Sequence, residues 1–161
     1  MDSLLSLILD LLKELFRIGR PRREIREFAL ARGFEYARKM DPAQLDLYAT
    51  SFFGRFDVAR DVITGVLDKT KFIYFDHDRA SGRGDKALMR SVVTFEVSAK
   101  TGDCSPTSAS DGWMFEKSGT HLFLWRWNDK QPKPTQEIEA FLNSALKVSE
   151  RLLRPASSNY S

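Results

Sequence analysis

Residues 76 to 90 hold most of the side chains in this chain that could do chemistry. Asp76-His77-Asp78 offers two carboxylates and an imidazole, donor types that suit a divalent metal. Strand alternation, however, sends both aspartates to one face and His77 to the other, so the three do not converge and a solvated strand end is expected instead. Gly82-Arg83-Gly84-Asp85-Lys86-Ala87 spells a dinucleotide-binding loop. A strand follows it rather than a helix, which leaves no helix N-terminus to hold a pyrophosphate. Arg83-Gly84-Asp85 spells an adhesion tripeptide in a chain without secreted, disulfide-rich character. What remains is a cationic loop in which Arg79, Arg83, Lys86 and Arg90 could contact an anion, diluted by Asp78 and Asp85. Cys104 lies in a Gly/Ser/Thr/Pro-rich stretch with no sequence relation to His77 or His121, and reads as an incidental loop thiol. The sequence spells no Ser/His/Asp order, P-loop or paired-cysteine motif. No catalytic residue, cofactor or metal is therefore expected.

These residues need elements to position them. Residues 57–67 and 71–78 are rich in β-branched and aromatic side chains and are joined by Asp68-Lys69-Thr70. That connection is too short for anything but a hairpin, because a parallel return needs a crossover of a dozen or more residues. Alternation places Phe72 and Tyr74 on one face and Ile73 and Phe75 on the other, so both faces are expected to be covered. Residues 89–98, with Val92, Val93, Phe95 and Val97, read as the sheet centre. Residues 112–117 and 121–127 form a second hairpin through Ser118-Gly119-Thr120, with Leu122 and Leu124 opposite Phe123, Trp125 and Trp127. A helix over 135–153 follows, with Thr135 as N-cap, Glu137 in its first turn, cations towards its end and Pro155 as a stop. Its stripe of Ile138, Phe141, Leu142, Ala145, Leu146 and Leu152 is interrupted only by Ser149 and should lie on the sheet. The fold expected is α+β: an antiparallel sheet of about five strands packed by a C-terminal amphipathic helix, with two N-terminal helices. A strongly curved sheet capped by that helix, as in pleckstrin-homology-like barrels, is the variant by analogy.

The front end has a different character. Residues 2–18 set Leu4, Leu5, Ile8, Leu11, Leu12, Leu15 and Phe16 against a polar face, and Gly19 ends the pattern. A second helix begins at Pro21, turns Ile25, Phe28 and Ala29 inward and stops at Gly33. Residues 13–39 carry nine cations and four anions, +5 against +3 for the whole chain, so the remainder is slightly acidic. The first helix is too short and too charged to span a bilayer, which needs roughly 20 mostly apolar residues. It also lacks the charge order and cleavage site of a secretory signal. Its leucine face could pack on the domain, on a partner or on a second copy. Alternatively, Leu4, Leu5, Ile8 and Leu12 could enter an anionic lipid surface beside Arg17, Arg20, Arg22 and Arg23.

The chain has 161 residues, 42% of them hydrophobic and 29% charged, which suits one ordinary core. Residues 20–155 are read as a single domain, 1–19 as a separate amphipathic helix and 156–161 as a frayed tail. A single cysteine fits a reducing, cytoplasmic setting. Nucleic acid is disfavoured as a partner, because the pI near 9.1 is modest and an aromatic platform cannot be told from a core face.

The order of Arg32-Gly33-Phe34-Glu35-Tyr36, Asp41-Pro42, Phe52-Phe53-Gly54-Arg55, Val62 with Gly65, and Phe75-Asp76 followed by Gly82-Arg83-Gly84 resembles a group of small uncharacterised bacterial proteins. Many members carry a transmembrane anchor just before the Arg-Gly-Phe segment. The resemblance spans roughly residues 20 to 155 and rests on turn glycines and core aromatics, which imply a fold rather than a chemistry. It implies no catalytic residues. Here an amphipathic segment stands where those members carry a spanning one. The function expected is a non-catalytic binding or accessory module at the cytoplasmic membrane surface or in a protein complex. The alternative is a small-ligand-binding protein or enzyme with a pocket between the sheet and the N-terminal helices.

Overall fold

Asp68 and Lys69 both take positive φ, 45° and 69°, the backbone of a two-residue turn whose twist matches that of the strands it joins. Around it, and around Gly119 at φ 56° in the second hairpin, the chain builds an antiparallel sheet. The structure is a computed structural model. It describes residues 22–41, 59–79, 88–100, 102–126 and 133–154. The leucine-rich segment 2–18, the loop 80–87 and the tail 156–161 read from the sequence lie outside the described residues.

In chain order the elements are α1 (Arg22–Ala31), β1 (Glu35–Met40), β2 (Ala59–Leu67), β3 (Thr70–Arg79), β4 (Leu88–Glu96), β5 (Cys104–Ser108), a short 3₁₀ turn, β6 (Trp113–Ser118), β7 (His121–Arg126) and α2 (Thr135–Leu153). The seven strands form one sheet in the order β1-β2-β3-β4-β7-β6-β5, every neighbouring pair antiparallel. Among the described residues β1 and β5 occupy its two edges, and no pairing joins them. The expectation of about five strands is corrected to seven. The two beyond that expectation are β1, whose sequence EYARKM is half charged, and β5, whose CSPTS reads as loop. Each is held by pairing with a neighbour more than by its own propensity.

Alternation divides the side chains as expected. Tyr74, Val93, Leu122 and Leu124 face α1 and α2 in one cluster that includes Ile25, Ala29, Ile138, Phe141, Leu142 and Leu146. Phe75, Val92, Phe123 and Trp125 join Ala59 and Val62 in a second cluster on the far face, to which neither helix contributes. Ser149 is accommodated in the buried stripe of α2 because its hydroxyl donates to the Leu146 carbonyl at 2.7 Å, so its polar group is not left unmet. Thr135 is not the N-cap. Pro134 holds that position without a side-chain cap, and its carbonyl takes the Glu137 N–H at 2.9 Å.

α1 ends where Gly33, at φ 71°, turns the chain into β1, and the Phe34 N–H returns to the Ala29 carbonyl at 2.9 Å. Phe34 then lies over Gly65 and meets Phe72 edge to face, with ring centroids 5.0 Å apart. A Cβ on Gly65 would stand 2.5 Å from the Phe34 ring, so a glycine is needed for this contact. The Arg32 guanidinium forms a two-pronged bond to Glu139 of α2 and holds that carboxyl below its ordinary range. Among the described residues no helix is long and apolar enough to cross a membrane.

Candidate functional site

Strand ends sort the molecule into two ends. Met40, Ala59, Arg79, Leu88 and Arg126 lie at one, where β1, β3 and β7 finish and β2 and β4 begin; Glu35, Leu67, Thr70, Glu96 and His121 lie at the other.

At the first end the helix-bearing face holds a polar cluster. Asp76 is fully buried, and its Oδ1 accepts from Ser91 Oγ at 2.9 Å and from Tyr74 Oη at 3.2 Å. Tyr74 and Ser91 are 2.8 Å apart, and Ser91 Oγ also accepts the Lys133 backbone N–H at 2.8 Å. The arrangement follows from register: Asp76 pairs with Ser91 across β3 and β4, and Tyr74 lies two residues away on the same face. The solvated strand end expected at Asp76-His77-Asp78 is thus corrected, since Asp76 is 0% and His77 7% exposed. The alternation argument itself holds, because His77 pairs with Ala59 of the far-face cluster. Among the described residues no group of three His, Cys, Asp or Glu is placed to hold a metal. The hydroxyls that could make Asp76 reactive instead tie β3, β4 and the approach to α2 together, which is structural work.

At the second end the far face opens into a groove of about 670 Å³. Its floor is built by alternate residues of four neighbouring strands: Glu35, Thr64, Ile73 and Thr94 form one cross-strand row. Val66, Lys71, Glu96 and His121 form another. The α1–β1 junction walls it through Arg32, Gly33 and Phe34. Lys71 and Glu96 pair at 3.1 Å, and Thr64 Oγ1 donates to Glu35 at 3.3 Å, so the rim charges are partly neutralised. Thr94 is the exception. It is 1% exposed, and among the described residues its buried Oγ1 has no hydrogen-bond partner. Thr94 lines the groove while its hydroxyl lies beneath that surface, and a ligand that reached it would relieve the cost of its burial.

The residues singled out from sequence are scattered. Leu4, Leu5, Ile8, Leu12, Arg17 and Arg20 lie outside the described residues, as do Arg83 and Lys86 of the anion loop. Arg79 closes β3 opposite Leu88 and Arg90 sits inside β4 opposite His77, so the two stand diagonally across the ladder rather than directly opposed. Arg22 and Arg23 are exposed in the first turn of α1, where Arg23 pairs with Glu27 at 2.7 Å. Cys104 lies on β5 rather than in a loop, opposite Lys117. The groove residues were missed. Their signal was present: Lys71, Ile73, Thr94 and Glu96 all fall on the period-two face opposite Phe72 and Phe95. Comparison with protein-family models, curated proteins and solved structures finds no match to this chain.

Proposed function

We propose that the chain is a non-catalytic binding module that docks on an anionic membrane surface through its N-terminal residues. The observation that carries this reading is the polarity of α1. The helix buries Ile25 and Ala29 against the sheet and exposes Arg22, Arg23 and Arg26 immediately after the leucine stripe of residues 4–16. Arginines next to an inserted apolar face contribute on the order of 1 kcal/mol each near anionic lipid. Likeness to a group whose members often carry a membrane anchor at this point of the chain supports the same reading. Vesicles containing phosphatidylserine should bind the full chain but not one lacking residues 1–19, and binding should weaken with salt as screening shortens to about 8 Å at physiological ionic strength. Leu5→Asp combined with Leu12→Asp should abolish vesicle binding with thermal stability unchanged. A melting temperature lowered by several degrees in that variant, with no vesicle binding by the intact chain, would make the stripe core and reject the reading.

A second reading, a small-ligand-binding protein, is favoured by one observation, the unpartnered Thr94 hydroxyl in the groove. Native mass spectrometry of freshly purified protein discriminates it. A bound molecule retained by the wild type and lost from Thr94→Val would support the groove as its site, whereas equal retention by both would place it elsewhere.

A further inference from the structure

The two edges of the sheet are built differently. β5 has five residues, contains Pro106, and shifts register against β6 between Cys104 and Thr107. Each of these features discourages addition of another strand. β1 has none of them. It runs against β2 in unbroken register from Glu35↔Thr64 to Met40↔Ala59, without proline or glycine. Among the described residues no strand pairs with its outer side, which offers a template about 20 Å long for a further strand.

Consider that strand to be β1 of a second copy. In an antiparallel ladder, opposed residues must point their backbone groups the same way, and along one strand this direction alternates. Two identical strands can therefore pair only about an axis that passes through a residue, not between residues. For substantial overlap that residue is Ala37 or Arg38. An axis at Arg38 sets Arg38 against Arg38 and Glu35 against Asp41, like charges at both places. An axis at Ala37 sets Glu35 against Lys39 twice and Tyr36 against Arg38 twice, with the smallest side chain of the strand on the axis. Opposite charges and aromatic contacts stabilise cross-strand pairs, like charges oppose them, and a guanidinium on an aromatic face adds to the preference. Glu35, Arg38 and Lys39 are exposed in the single chain. The Tyr36 hydroxyl is already engaged with Asp61 at 2.8 Å, so its ring is what a second copy would meet.

We propose that the chain forms a two-fold dimer by antiparallel pairing of β1 with β1, with Ala37 on the axis, joining two sheets of seven strands into one. The surface shares Glu35 with the groove floor and no residue with the leucine stripe; because dimerisation is read as mass rather than as ligand or vesicle binding, the proposal stands or falls independently of the function proposed above.

Analytical ultracentrifugation of the full chain over a range of concentrations should show a monomer–dimer equilibrium. Glu35→Lys and Lys39→Glu should each weaken it by about tenfold or more, because each puts two like-charge pairs across the axis. An equimolar mixture of E35K and K39E should recover wild-type affinity, since every cross-axis pair in the mixed dimer is then of opposite sign. Unchanged circular dichroism and melting confirm that the variants are folded. Should either substitution disturb the monomer, Ala37→Cys in a Cys104→Ser background gives a second measurement: mild oxidation should link two copies through position 37. A wild type that stays monomeric at its highest soluble concentration, single variants that dimerise as it does, a mixture without recovery, or no cross-link at position 37 would each overturn the proposal.

Discussion

On the helix-bearing face Asp76 is completely buried, yet its carboxylate is met by Tyr74 and Ser91. On the far face Thr94 is buried almost as deeply, and its hydroxyl meets no partner among the described residues. Both residues sit on central strands three pairs apart in one ladder, so depth does not separate them. Satisfaction does. A buried polar group whose partners come from its own chain stabilises the fold, and one whose partner is missing marks the place where a partner can be added.

The comparison breaks most sharply at Asp76. Asp76→Ala removes the common acceptor of two buried hydroxyls, leaves a cavity, and should lower unfolding free energy by about 3 kcal/mol in urea titrations. A variant with the wild-type midpoint would deny the cluster its structural role. Gly65→Ala tests the aromatic packing beside the groove. Its Cβ would press on Phe34 and spoil the edge-to-face contact with Phe72, a cost of about 1.5 kcal/mol. Combining G65A with Phe34→Leu should cost less than the sum of the two, because the smaller side chain relieves the clash. Thr94→Val sharpens the other side of the comparison. Removing an unsatisfied hydroxyl while keeping its shape should leave stability unchanged or raise it by about 1 kcal/mol. A loss of that size would show that Thr94 has a partner after all.

The smallest effect concerns Tyr36, whose phenol is pushed up to about 12 from 10.0 by burial first and then by its bond to Asp61. The folded chain holds this proton more tightly than the unfolded one. Its contribution is therefore whole below pH 10 and is lost as pH rises from 10 towards 12. Tyr36→Phe should flatten the fall in stability across that window, measured by urea titrations at its two ends. An unaltered slope would assign the alkaline loss to other groups.

Much of this architecture was legible in sequence because local and tertiary preferences agree. Residues 71–78 alternate between two apolar faces, and both faces are buried as that pattern requires. The stripe of α2 likewise faces the sheet. β1 and β5 were illegible for the opposite reason: charged or small polar residues carry little strand propensity, and pairing with β2 and β6 decides their state. The fate of Asp76 was misread because solvation of a strand end depends on what packs against it, and Lys133 approaches from more than 40 positions along the chain. The groove could not be drawn from alternation alone. Period two shows which residues share a face but not where along that face a groove will form.

The bond from the Lys133 amide to Ser91 has a consequence in time. Lys133 precedes the first turn of α2, where amides ordinarily exchange their protons with water as soon as the helix end frays. Here the acceptor is a buried hydroxyl of a central strand. The amide can exchange only when the approach to α2 lifts away from β4. Its exchange rate therefore reports on the opening of that junction rather than on the helix, and the last amides of α2, without such an anchor, should exchange first.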